Sequence, residues 1–295
     1  MLAVVVGITS ALVFGAADFL GGLASGRIAA IRVTAIAAVV GLATLGVLYP
    51  FVGGQWSAEA LYLGALSGVS GAVAISLLYA CLAIGPMSIL SPLTAVVSAV
   101  VPMTVGLIQG EELSTLGYVA LGIALVAVVL VGFIPEKGAV RPSLRGILMA
   151  IGSGAAIGAF LIIIDLTPAD SGLVPLLANR AVNGAIMFTV VGVVALFAMK
   201  ANRVATGAGL PTTVSRGWRA GLWLAIGCGV VDAIANVGLL LGLRLGELSV
   251  MSVLTAMYPA GTIILAAIVL KERIAPVQYL GLALAIAAAA MLALG

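Results

Sequence analysis

Two aspartates, Asp18 and Asp232, stand inside long apolar stretches of this 295-residue chain. A carboxylate placed there can hold a cationic group, exchange a proton, or bond to the backbone around it. An acid at the centre of a membrane helix costs about 2.5–3.5 kcal/mol on insertion scales, so each is a functional candidate by default. Asp232 has Asn236 four residues after it and Cys228 four before it, which puts all three on one helical face. The expectation is that Asp232 lines a water-accessible cavity, with Asn236 one turn away. Asp18 lies near the end of its stretch, where interfacial capping competes with lining a path.

Hydroxyls form two further stripes. Ser91, Thr94 and Ser98 precede Pro102 at helical spacing, and Ser252 and Thr255 precede Pro259 and Thr262, with Tyr258 adding a ring and a hydroxyl. A hydroxyl on a helix can bond its own preceding carbonyl. Two matching stripes are better explained by helices that face each other, and the prolines favour kinks that free carbonyls for a substrate. The expected substrate-binding set is therefore Asp18, Ser91, Thr94, Ser98, Asp232, Asn236, Ser252, Thr255 and Tyr258. Asn179, Arg180 and Asn183 open another apolar stretch, and Arg180 is expected to snorkel to the membrane interface.

Other chemistry is excluded by what the chain lacks. There is no histidine, which removes imidazole acid–base work, Ser-His-Asp triads and most transition-metal sites. Cys81 and Cys228 are far apart and form no CxxC pair. The glycine-rich segment 152–158 lacks the GxGxxG spacing and follows no strand, so it reads as helix packing. No metal, cofactor or catalytic residue is expected.

The elements that position these residues follow from composition. The chain is 63% hydrophobic and 8% charged, with mean hydropathy +1.34, against about 25% charged residues in a soluble domain. Its solvent is lipid, and a net charge of +3 calls for no nucleic-acid partner. Apolar runs long enough to span fall at 2–24, 33–51, 60–84, 88–108, 116–134, 146–164, 173–199, 220–243, 248–270 and 276–294. The first is longer than the h-region of a signal peptide and has no basic residue before it, so it reads as a retained spanning helix. The expectation is an all-α, multi-pass protein of the cell membrane with ten transmembrane helices. Small residues recur at Gly64, Gly68 and Gly71, at Gly154 and Gly158, and at Gly238 and Gly242, where helices can approach closely in lipid.

The ten runs are two sets of five. Shifting the sequence on itself by 161 positions lays Gly85, Ser88, Ser91, Leu93, Thr94 and Ala95 on Gly246, Ser249, Ser252, Leu254, Thr255 and Ala256. The register continues through Glu111 on Glu272 and Tyr118 on Tyr279, and Arg32 has a plausible counterpart in Arg180. Five spans is an odd number, so the second set must cross the membrane upside down, the inverted-repeat construction of many secondary transporters. The repeats are taken as 1–134 and 145–295, joined by a connecting loop at 135–144.

With these features the sequence resembles the drug/metabolite transporter superfamily, specifically its EamA family. The resemblance rests on ten spans, the duplication, and the segments Gly110-Glu111-Glu112-Leu113 and Lys271-Glu272-Arg273-Ile274 after the fourth and ninth runs. It implies a carrier of small metabolites, often an exporter, with both termini in the cytoplasm. Charge points the other way on orientation. The loops after the first, fifth, seventh and ninth runs hold Arg27, Arg32, Lys137, Arg141, Arg145, Lys200, Arg203, Arg216, Arg219, Lys271 and Arg273, while the opposite side holds Arg180 and Arg244. The positive-inside rule puts the first group in the cytoplasm and the termini outside.

The functional expectation is a non-enzymatic secondary carrier for a small polar or amphipathic metabolite, amino-acid-like compounds first, working by alternating access and exporting. Its partners are the small-molecule substrate, membrane lipid and a coupling proton. The alternatives are a proton-coupled multidrug exporter and an intramembrane enzyme using Asp18 with Asp232.

Overall fold

The structure is a computed structural model that describes residues 1–84, 87–132, 142–207, 218–271 and 273–294. Gly85, Glu272, the loop cations Lys137, Arg141 and Arg216, and most of the connecting loop lie outside the described residues, as do the side chains of Ser88, Lys200 and Arg203.

Among the described residues every regular element is helical: α1 (Leu2–Ser25), α2 (Ala30–Val52), α3 (Ala58–Ile84), α4 (Met87–Ile108), α5 (Thr115–Gly132), α6 (Leu144–Asp165), α7 (Val174–Gly207), α8 (Leu222–Leu245), α9 (Leu248–Thr255), α10 (Tyr258–Val269) and α11 (Pro276–Leu294). Ten spans are long and apolar enough to cross a membrane, with α9 and α10 together making one of them. Helices satisfy their own backbone groups, which is why an apolar run of this length must be one.

The ninth run is two helices. α9 ends at Thr255, Ala256 and Met257 form a turn, and α10 begins at Tyr258 with Pro259 in its first turn. Proline there costs little, since its missing N–H would be an orphan anyway. The fourth run behaves differently, for α4 continues through both Pro92 and Pro102.

Glycines set the helix contacts. A Cβ on Gly68 would sit 2.6 Å from the Asn179 carbonyl oxygen, and one on Gly64 2.4 Å from that of Pro175, so α3 and α7 touch backbone to backbone. Asn179 Nδ2 donates to Ser67 Oγ at 2.8 Å across the same seam. A Cβ on Gly154 of α6 would sit 2.6 Å from the Thr94 carbonyl oxygen of α4, and one on Gly158 2.9 Å from the Pro102 ring. The main contacts are α1 on α8, α3 on α6, α5 on α11, α4 on α6 and α9, α3 on α7, α2 on α7 and α8, and α1 on α9 and α10.

The largest apolar cluster runs from Ala99, Ala124 and Ala233 in mid-bundle to Val4, Leu45, Ile164, Leu173, Leu243, Leu248 and Met251 near the end that carries the N-terminus. Smaller clusters, Ala24, Ile28, Val33 and Ile36 with Ala225, and Cys81 and Leu90 with Ala150, pack the opposite end. The loops at the N-terminal end are tied together. Leu173 N–H donates to Gly53 O and Gln55 N–H to Asp170 O, and Gly54 and Gly172, both at positive φ, pass too close for any side chain. Arg244 donates to the carbonyls of Asp165 and Pro168, each at 3.2 Å, and to Thr167 Oγ1.

Candidate functional site

One face of α1 carries Val4, Gly7, Ala11, Gly15, Asp18 and Gly22, spaced by three or four residues. The first four are buried and the last two are exposed. This is not the lipid face, because the exposed stripe Val5, Thr9 and Leu12 lies about 125° away around the helix at 100° per residue. Asp18 and Gly22 are therefore exposed on the inner side of the helix, in a crevice. A Cβ on Gly22 would meet nothing within 4 Å. The crevice opens away from the N-terminal end and closes at Gly15.

Neighbouring helices bound it. On one side α1 packs on α8, where Ser10 Oγ donates to Ala235 O at 2.7 Å and Gly21 lies against Cys228 Sγ. On the other side it packs on α10, where Gly15 crosses Gly261 and Thr262 Oγ1 donates to Gly15 O at 3.1 Å. Asp18 falls between these contacts. Asp232, Cys228 and Tyr258 all lie within its electrostatic range. Phe14 shares its face one turn earlier and is half-buried.

Asp232 is paired with Arg180, the side chains being 24% and 14% exposed. This corrects the expectation that Arg180 snorkels to the interface. It points into the bundle because Asp232 offers an opposite charge that lipid headgroups would have to match. Its stem passes Gly41 of α2, where a Cβ would stand 3.5 Å from both Cδ and Nε. Gly229 lets α2 and α8 close around it, a Cβ there lying 2.8 Å from Ala37 O. Asn236 is buried, and its Nδ2 donates back to the Asp232 carbonyl oxygen at 2.8 Å.

The hydroxyl stripes serve helix contacts to differing degrees. Thr94 Oγ1 donates to Leu90 O and, across to α6, to Ala150 O. Ser98 donates to Ala95 O. Ser252 donates to Ser249 O and reaches α4 at Ala99 O. Thr255 Oγ1, at the end of α9, is buried with no hydrogen-bond partner. Ser91 is half-buried on α4. The structure thus gathers Asp18, Asp232, Asn236 and Tyr258 on α1, α8 and α10, and sets Thr94, Ser98 and Ser252 in the α4–α6–α9 seams.

Two features escaped the sequence reading. Arg180 belongs to the ionic centre, and the available signal was an arginine more than one turn inside a run that begins at Leu173. The other is Glu111. Its carboxylate reaches from the loop after α4 to the start of α9, beside Glu247. Partial desolvation, then the charge and hydrogen bond of Glu111, push the Glu247 carboxyl above the usual glutamate range.

A separate groove of about 440 Å³ is lined by Leu77, Leu144, Arg145, Leu148 and Met149 of α3 and α6. None of the charged groups at the crevice lines it.

No curated protein matches the sequence significantly. A solved structure described only as the crystal structure of a protein is similar over 100% of this chain and 99% of its own, with a TM-score of 0.72. The two are 16% identical, so that likeness speaks for the fold alone. The profile of the EamA-like transporter family matches residues 144–294, more than half of the sequence and the whole stretch from α6 into α11. This match, over a chain whose described residues form ten apolar helices long enough to span, makes the chain a member of the EamA-like transporter family.

Proposed function

We propose that this protein is a secondary carrier that exports a small polar or amphipathic metabolite, amino-acid-like in kind, across the cell membrane. It works by alternating access between two inverted halves, 1–134 and 145–295. The observation that carries the reading is the inner face of α1, closed from Val4 to Gly15 and open at Asp18 and Gly22. A crevice that enters the bundle from one side and stops at a packed plug is one end-state of a carrier.

The repeat is supported by the pairing of helices. Exchanging α1–α5 for α6–α11, with α9 and α10 counted as one, turns α1 on α8 into α6 on α3, and α2 on α8 into α7 on α3. It leaves α2 on α7, α4 on α9 and α5 on α11 unchanged. Export is favoured because the crevice opens on the side that holds Arg27, Arg145 and Lys271, the cytoplasmic side by charge. In this reading Asp18, Asp232, Asn236, Thr255 and Tyr258 stand on the path, and Ser91, Thr94, Ser98 and Ser252 form the moving seam beside it.

The test is uptake and counterflow in liposomes with labelled amino acids, amines and sugars, with and without a pH gradient. Saturable, protein-dependent flux of at least one compound is expected, and its dependence on the gradient reads out proton coupling. Absence of saturable flux across the whole set, from protein that is monodisperse on gel filtration, would overturn the carrier reading.

A further inference from the structure

The charges at the crevice do not balance. Among the described residues away from the ends of the spans, those gathered there bring two carboxylates, Asp18 and Asp232, and one guanidinium, Arg180. Arg180 is committed to Asp232. Asp18 is enclosed by the bundle and has a like charge, Asp232, within electrostatic range. In a low-dielectric bundle an open carboxylate that faces a like charge takes up a proton or a cation.

We propose that the crevice binds a monovalent organic ammonium, with Asp18 as its counter-ion and the rings of Phe14 and Tyr258 as its apolar wall. The inference rests on the carrier reading and names its substrate class.

Three observations select that class. First, a monocation that displaces the proton of Asp18 keeps the group neutral, whereas a zwitterion that displaced it would leave one excess negative charge. Second, the guanidinium gathered at the crevice among the described residues is already committed to Asp232 and does not await a zwitterion's carboxylate. The Arg180 Nε has no hydrogen-bond partner, but it lies against α2 at Gly41 and not in the opening beside Gly22. Third, Phe14 shares the face of Asp18 and Tyr258 lies within its electrostatic range, and aromatic rings attract an ammonium by their quadrupole while packing its apolar part. The open space at Gly22 is the way in. Within the amino-acid-like compounds of the carrier reading, the geometry favours the decarboxylated amine over the amino acid itself.

Tryptamine and tryptophan share a ring and an ammonium and differ by one carboxylate, so they isolate the charge. Both are offered, labelled, to the full-length purified protein for equilibrium binding, and to proteoliposomes for flux. Tryptamine is expected to bind at least tenfold more tightly than tryptophan. Asp18→Asn is expected to weaken tryptamine at least tenfold and leave tryptophan within about twofold, while Asp18→Glu, which keeps the charge, restores most of the tryptamine affinity. Should Asp18→Asn fail to fold, the wild-type preference for tryptamine and its retention in Asp18→Glu carry the test. Equal or tighter tryptophan binding overturns the proposal, as does tryptamine binding that Asp18→Asn leaves intact, or no tryptamine binding at all. If saturable flux of some other compound persists in those cases, the carrier reading survives and only the substrate class falls.

Discussion

Glu111 holds the start of α9 at Leu248. Its Oε1 accepts the Leu248 N–H at 2.7 Å and its Oε2 the Ser249 N–H at 2.9 Å. One carboxylate from the first half of the sequence thus satisfies two orphan donors of a helix in the second. Charge-assisted bonds to a helix N-terminus are among the stronger contributors available to a loop residue. Glu111→Ala should destabilise the protein by about 1–3 kcal/mol. Glu112→Ala, an exposed neighbour, should leave it within about 0.5 kcal/mol. Thermal unfolding in detergent checks the pair, and equal midpoints would show that the cap contributes nothing.

Glu247 makes stability depend on pH in a defined direction. Its carboxyl titrates above the ordinary value of 4.5 because of partial desolvation, then the negative charge and hydrogen bond of Glu111, with the charge of Asp165 adding to the repulsion. The folded state therefore binds more protons than the unfolded chain, and stability falls as pH rises from 4.5 through the folded value. Glu247→Gln should remove that slope and raise the unfolding midpoint at pH 7. A wild-type slope in the variant would assign the dependence to another group.

Arg180 and Asp232 should behave as one unit. Removing either partner leaves a charge inside the bundle without its mate, at a cost of about 3–5 kcal/mol for a fully buried pair and less here, where both side chains retain some access. Arg180→Gln and Asp232→Asn should each lower the yield of monodisperse protein. The double variant should recover most of it. Additive losses in a double-mutant cycle would mean that the two do not interact.

Close helix crossings should be sharply selective among glycines. A methyl on Gly15 would stand 2.5 Å from the Tyr258 carbonyl oxygen and 2.7 Å from Gly261 Cα, contacts that only backbone movement relieves. Gly15→Ala should force α1 from α10, lower the unfolding midpoint and abolish flux. Gly46→Ala and Gly122→Ala meet nothing within 4 Å and should be neutral or slightly stabilising. Similar midpoints for all three would argue against the α1–α10 crossing.

Orientation is open to a labelling test. Arg27, in the turn between α1 and α2, lies on the basic side of the bundle. With Cys81 and Cys228 replaced, Arg27→Cys should resist an impermeant thiol reagent in intact cells and react once they are broken. Reaction in intact cells would put the termini in the cytoplasm instead.

The spans were legible in the sequence because lipid leaves no choice. A stretch such as 144–165 must satisfy its backbone internally, and hydropathy finds its limits to within two residues. The division at Ala256 was not legible. The stretch 248–270 is apolar throughout, and Pro259 looks no different from Pro102, which α4 accommodates. Asp18 and Asp232 could be singled out by their type alone. Which of them would be matched by a cation depended on the helix standing opposite, and that is a property of packing that periodicity in one helix does not carry. The hydroxyls of Thr94 and Ser252 had the right spacing for a path, yet their hydrogen bonds run to carbonyls at seams between helices.

The closure of the inner face of α1 at Gly15 has an electrical consequence. A membrane potential falls across dry, weakly polarisable material and hardly at all across water. In the proposed carrier the aqueous phase of the basic side would extend to Gly22 and Asp18 on the inner face of α1, whereas from Gly15 to Val4 that face is packed. The voltage drop is therefore compressed into that packed half. A cation that reaches Asp18 has crossed little of the field, and almost all of the electrical work, about 2.3 kcal/mol per charge for each 100 mV, belongs to the step that opens the other end.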